Sequence, residues 1–108
     1  MKIKAKKIER TMHRQGDLLF VPCVTIPTDA KPQEDGVIAR GETTGHAHRI
    51  RQGMQAMLMI TAAMAYVKAV EETAVDHEEH ATVMLPIGNY EVRRQREHTP
   101  DGWRQVAD

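Results

Sequence analysis

The chain has 108 residues, with fifteen basic and fifteen acidic side chains and a formal charge of zero. That length fits one domain, residues 1–108, with a modest core, and the balanced charge gives no bulk electrostatic footprint for nucleic acid. A single cysteine, Cys23, excludes an intramolecular disulfide and a cysteine-built zinc site.

Residues 1–12 are rich in lysine and read as a basic arm or an edge strand. "RQGDLLFVPCVTIP" is the first clear element. Gly16-Asp17 is turn chemistry, and an apolar run follows until Pro22 interrupts it. The run is short and lacks a small-residue cleavage site, so no signal peptide is expected. "TDAKPQEDG" reads as a loop, "GVIARGE" as a short strand, and "TTGHAHRI" as its continuation before the break at Gln52-Gly53. The segment from Met54 onward is rich in Met and Ala, a helical composition. Its second half, "AYVKAVE", favours strand, and the neighbours lean the whole segment the same way. Its apolar stretch is too short to cross a bilayer, so a soluble, cytoplasmic protein without membrane contact is expected. "ATVMLP" reads as a strand, "PIGN" as a turn and "YEVRRQRE" as an alternating strand, together a β-hairpin with Tyr90, Val92 and Arg94 on one face. "HTPDGW" is a further turn.

Aromatic residues are few and methionines number seven, so methionine and small aliphatics are expected to fill the core. The expected fold class is mostly β. It is a small barrel or sandwich of short antiparallel strands, with at most one short helix or helical turn.

Histidine placement carries the functional signal. Four of the six fall into two pairs, His46/His48 and His77/His80. On a strand, side chains alternate, so His46 and His48 face one way and Ala47 the other. Two imidazoles on one face can hold one ion at about 2 Å. His77 and His80 lie three apart in "DHEEH". They would share a face on a helical turn, for which Asp76 and Glu79 have capping-box spacing, but not on an unbroken strand. The metal candidates are therefore His46, His48, His77 and His80. Glu78 and Glu79 are candidates to complete the site or to act as a catalytic base on bound water. The divalent ion would be Zn, Mn, Fe or Ni, among which imidazole and carboxylate do not choose sharply. The spacing does not match the zincin helix, whose two histidines lie four apart.

"GETTGHAHR", "HEEHATVMLPIGNYEV" and "QREHTP" resemble stretches shared by a group of small uncharacterised bacterial and phage proteins. The likeness runs from Gly16 onward and implies one β-rich domain with both histidine pairs in its hallmark region. A more distant similarity is to cupins, which carry a glycine before His-X-His and a later Pro-X-Gly. Here "RIRQG" stands where a cupin glutamate would, and no histidine closely follows Pro86-Ile87-Gly88. Together these readings lead to a metal-binding small β protein with hydrolytic or cupin-like chemistry. The alternative is a non-enzymatic binding or assembly module, phage-associated, with structural histidines. Edge strands in so small a β domain also favour a homodimer.

Overall fold

The computed structural model describes residues 11–40, 45–99 and 102–105, with side chains described for 11–40 and 45–95. Residues 1–10 of the basic arm and the "GETT" part of the glycine-threonine stretch lie outside these residues. Among the described residues every regular element is a strand and none is a helix.

Strands β1 (His13–Gln15) and β2 (Leu18–Cys23) form a hairpin around Gly16-Asp17. Gly16 has φ +57°, which a two-residue loop needs at its first position and glycine adopts without strain. Four more strands complete a six-stranded antiparallel sheet. They are β3 (Lys31–Gln33), β6 (Ala56–Ile60), β7 (Ala65–Ala69) and β10 (Gly88–Arg94). The order is β1-β2-β10-β7-β6-β3. A second antiparallel sheet holds β4 (Val37–Arg40), β5 (Ala47–Ile50), β8 (Thr73–Asp76) and β9 (Val83–Leu85), in the order β4-β5-β8-β9. A separate hairpin pairs β11 (Arg96–Thr99) with β12 (Gly102–Gln105).

The two larger sheets face each other. Leu18, Phe20, Leu58, Val67, Ala69, Tyr90 and Val92 of the first pack with Val75 and Leu85 of the second. This is a sandwich and not a closed barrel. Each large buried side chain contributes roughly 1.5–3 kcal/mol of apolar burial. Among the described residues no methionine belongs to that core. The reason is strand parity: on β6, Leu58 faces inward, and Met57 on the opposite face is exposed. Cys23 is half-buried on β2, and burial followed by the nearby Glu91 carboxylate raises its thiol above the usual range.

Three further expectations are corrected. The loop "TDAKPQEDG" contains β3, whose Pro32 is tolerated because the strand is an edge. The stretches flanking "PIGN" do not pair with each other. β9 joins β8 in one sheet, and the chain then crosses to the other, where β10 lies between β2 and β7. The Tyr90 hydroxyl donates to Pro86 O at 2.7 Å and ties the crossover to its strand. Finally, "DHEEH" is an irregular bend and not a helical turn.

Candidate functional site

β5 enters the second sheet through Gly45, which has φ +73° and so favours glycine. β5 and β8 share only two register pairs, Arg49–Asp76 and Ile50–Val75. Side chains strengthen this thin seam. Arg51 donates to both carboxylate oxygens of Asp76 at 2.9 Å, and the Thr82 hydroxyl donates to Asp76 Oδ1 at 2.6 Å. These hydrogen bonds, from Arg51 first, hold the Asp76 carboxyl below its ordinary range. Glu78 reaches back to accept the Ala47 amide at 2.8 Å. That hydrogen bond is the main cause of its lowered pKa. The bend after β8 is thus pinned against the start of β5.

The pinning brings both histidine pairs together. Ring centres lie 5.6 Å apart for His46 and His77, 4.4 Å for His48 and His77, and 4.6 Å for His77 and His80. His48 and His80 stack nearly parallel at 6.4 Å. Segments about thirty residues apart in sequence therefore meet in one imidazole cluster. Glu79 joins its edge, with Oε1 at 3.6 Å from His46 Nδ1.

The four rings are held differently. His48 is completely buried. Its Nδ1 meets Gln15 Oε1 at 2.9 Å and its Nε2 meets Asp17 Oδ1 at 3.2 Å. The Gln15 amide nitrogen donates to Val75 O and Ala81 O, which leaves its oxygen to accept from His48. Asp17 is also fully buried and forms an ion pair with Arg94 at 3.0 Å. His77 takes the capping role expected of Asp76: its Nδ1 accepts the amides of Glu79 at 3.0 Å and His80 at 3.2 Å. The Nδ1 lone pair is then engaged, and a neutral ring carries its proton on Nε2. His46 is half-buried. His80 Nε2 is buried with no hydrogen-bond partner among the described residues. Among those residues, no three His, Cys, Asp or Glu side chains are disposed as a finished metal-ligand set.

Gln15, Asp17 and Arg94 escaped sequence reasoning as site residues. Asp17 was legible only as a turn residue, and Arg94 only as one residue on a face of an alternating strand. Nothing local marks Gln15, whose partners lie sixty or more residues away.

Two cavities lie beside β5, and the first adjoins the cluster. One of about 210 Å³ is lined by Ala47, Arg49, Asp76, His77 and Glu78. The other, about 470 Å³, lies between the β3–β4 turn and the turn after β5.

Residues 14–95 match the model of a family described as a domain of unknown function, DUF8820. The chain belongs to this family. The match runs from β1 through β10, so the family domain contains both larger sheets, all four clustered histidines and the Gln15–Asp17–Arg94 network. No curated protein and no solved structure matches the chain. No helix among the described residues is long and apolar enough to cross a membrane.

Proposed function

We propose that this domain binds a divalent transition metal at the histidine cluster, through His46, His77 and His80, with Glu79 at its edge. The observation that carries the reading is the meeting of the two histidine pairs. Imidazoles sharing one ion at bond lengths of about 2 Å have ring centres on the order of 5 Å apart. The separations of 5.6 Å and 4.6 Å fall around that value. His48 is left out of the ligand set because both its nitrogens are engaged with Gln15 and Asp17. It serves instead as a charged strut behind the cluster.

Binding has a structural cost at His77. For Nε2 to ligate, the proton must leave it. If the ring keeps one proton, that proton moves to Nδ1, which then no longer accepts the Glu79 and His80 amides. Rings that stack in this structure must also turn toward the ion. Zn, Ni, Mn or Fe suits such a donor set. Glu78 is a poor general base near neutral pH, since its hydrogen bond to Ala47 lowers its proton affinity. Glu79, exposed beside His46, is the better candidate to receive a proton from bound water if the ion is catalytic. The cupin ligand set is not carried over, because β10 after Pro86-Ile87-Gly88 presents Tyr90 and Glu91 and no histidine.

The test is elemental analysis and zinc titration of untagged protein. Stoichiometric metal, lost in a His46→Ala/His80→Ala double variant that stays folded, supports the reading. Metal should also speed hydrogen exchange at the Glu79 and His80 amides. A folded chain that takes up no metal overturns it.

A second reading, a non-enzymatic binding or assembly module with structural histidines, is favoured by the complete engagement of His48. A phage-associated role and a homodimer belong to that reading. It expects a metal-free protein whose stability is indifferent to chelator.

A further inference from the structure

The larger cavity is independent of the histidine chemistry. At about 470 Å³ it falls within the usual size of a small-molecule site. Glu34 and Asp35 line it from the β3–β4 turn, and Arg49 and Arg51 from β5 and the residues after it. Ile50 and Met54, both half-buried, supply apolar surface.

The two arginines are not equivalent. Arg51 is committed to Asp76 by two hydrogen bonds at 2.9 Å. Arg49 has a looser partner, Glu78 at 3.8 Å, and its side chain is 49% exposed. Glu78 in turn is anchored elsewhere, on the Ala47 amide. Arg49 lines both cavities, so the residue borders the open cleft as well as the histidine side. A planar guanidinium with spare donors suits a carboxylate or phosphoryl group bound through two oxygens.

The acidic residues decide between those groups. The Gly36 carbonyl accepts the Ile50 amide at 2.9 Å, and Val37 pairs with Arg49. Asp35 and Glu34 therefore sit one turn from Arg49. Their charges oppose a phosphoryl dianion, and they offer acceptors to an ammonium group. Opposite charges beside an apolar surface fit a molecule that carries both charges and an apolar body.

We propose that this cleft binds a free α-amino acid with an apolar side chain. Its carboxylate sits on Arg49, its ammonium on Glu34 and Asp35, and its side chain against Ile50 and Met54. The site does not depend on metal, so it is tested with chelator present and stands or falls apart from the histidine reading.

The experiment is an amide NMR titration of the full chain with leucine, N-acetyl-leucine, leucine amide and inorganic phosphate. Leucine should give saturable shifts at residues 34–36 and 49–54. Each blocked analogue should bind at least about tenfold more weakly, as expected for loss of a charged hydrogen-bonded contact. Arg49→Gln should weaken leucine to a similar degree. The proposal is overturned if leucine gives no saturable shift at millimolar concentration, or if N-acetyl-leucine or phosphate binds as well as leucine does. It is also overturned if a folded Arg49→Gln chain binds leucine unchanged. The analogue comparison uses the unaltered chain, so it decides the matter whether or not the variant folds.

Discussion

Asp17 is an acidic side chain without solvent contact that faces a histidine and an arginine. His48 Nε2 stands 3.2 Å from one oxygen and Arg94 Nε 3.0 Å from the other. Such a group is costly to bury unless every lone pair and proton is answered. Gln15 supports the pairing by accepting from His48 Nδ1 while its own amide bridges to two carbonyls, and Arg94 meets Asp17 Oδ2 through charge and not through a hydrogen bond. Both ring nitrogens of His48 are thereby asked to donate, which describes an imidazolium. Nitrogen-15 NMR at neutral pH should show a bonded proton on each. A ring with one bare nitrogen would disprove this network. Asp17→Asn removes the charge that both cations share. Because it leaves His48 buried beside an uncompensated site, it should cost about 3 kcal/mol of unfolding free energy, measured by urea denaturation. A loss under about 1 kcal/mol would mean that packing, and not charge, holds this corner.

The seam between β5 and β8 is short in backbone pairing and long in side-chain pairing, and this gives it a pH signature. Asp76 has an ordinary pKa of 3.8, lowered in the folded chain chiefly by the Arg51 hydrogen bonds and then by Thr82. A depressed carboxyl stabilises the fold fully above its unfolded pKa. That contribution is lost as pH falls from about 3.8 through the lower folded value. Glu78 acts in the same direction through the Ala47 amide. Asp76→Asn should therefore reduce stability at neutral pH and flatten its decline in acid, seen as converging thermal midpoints of the two proteins below pH 4 (on the order of the ordinary carboxyl pKa). Parallel curves down to pH 2 (about two units lower) would exclude the Arg51–Asp76 pair as the source. The same elements show what sequence could tell. The inward face of β10 was legible because Tyr90 and Val92 alternate with Glu91 and Arg93, and burial follows that period. The same alternation led to two histidines on one strand face, but β5 begins at Ala47 and His46 precedes it. That "PIGN" is a crossover was not, since turn chemistry reports a change of direction and not which strands then pair. The capping of the bend by His77 was equally hidden, because imidazole is not among the residues that capping rules look for.

At the scale of the molecule, the position of the cluster depends on contacts that no local pattern encodes. Gln15 sits at the edge of the six-stranded sheet and hydrogen-bonds to residues of the four-stranded one and the bend beside it, so it closes the gap between sheets next to His48. Met54 to Met64 shows the same dominance of the whole over the part. A helix-favouring composition becomes β6 and the turn to β7 because Leu58 and Val67 face the common core. The β11–β12 hairpin differs in kind. It pairs with neither large sheet, it lies beyond the residues that match the family, and a lone two-stranded hairpin adds little stability of its own. The chain arrives there through Gln95, whose amide donates to Asp17 O at 2.6 Å and fastens the end of β10 to the β1–β2 turn. A chain ending after Gln95 keeps that hydrogen bond, the Asp17 network and all four clustered histidines. It should retain the amide NMR pattern of residues 14–95 and melt within about 5 °C of the full chain, the shift of roughly 1 kcal/mol for a domain of this size. Ending the chain after Arg93 instead removes Arg94 and the Gln95 amide together. That shorter chain should lose far more, and a similar melting point for both truncations would show that the corner around Asp17 does not hold the sandwich.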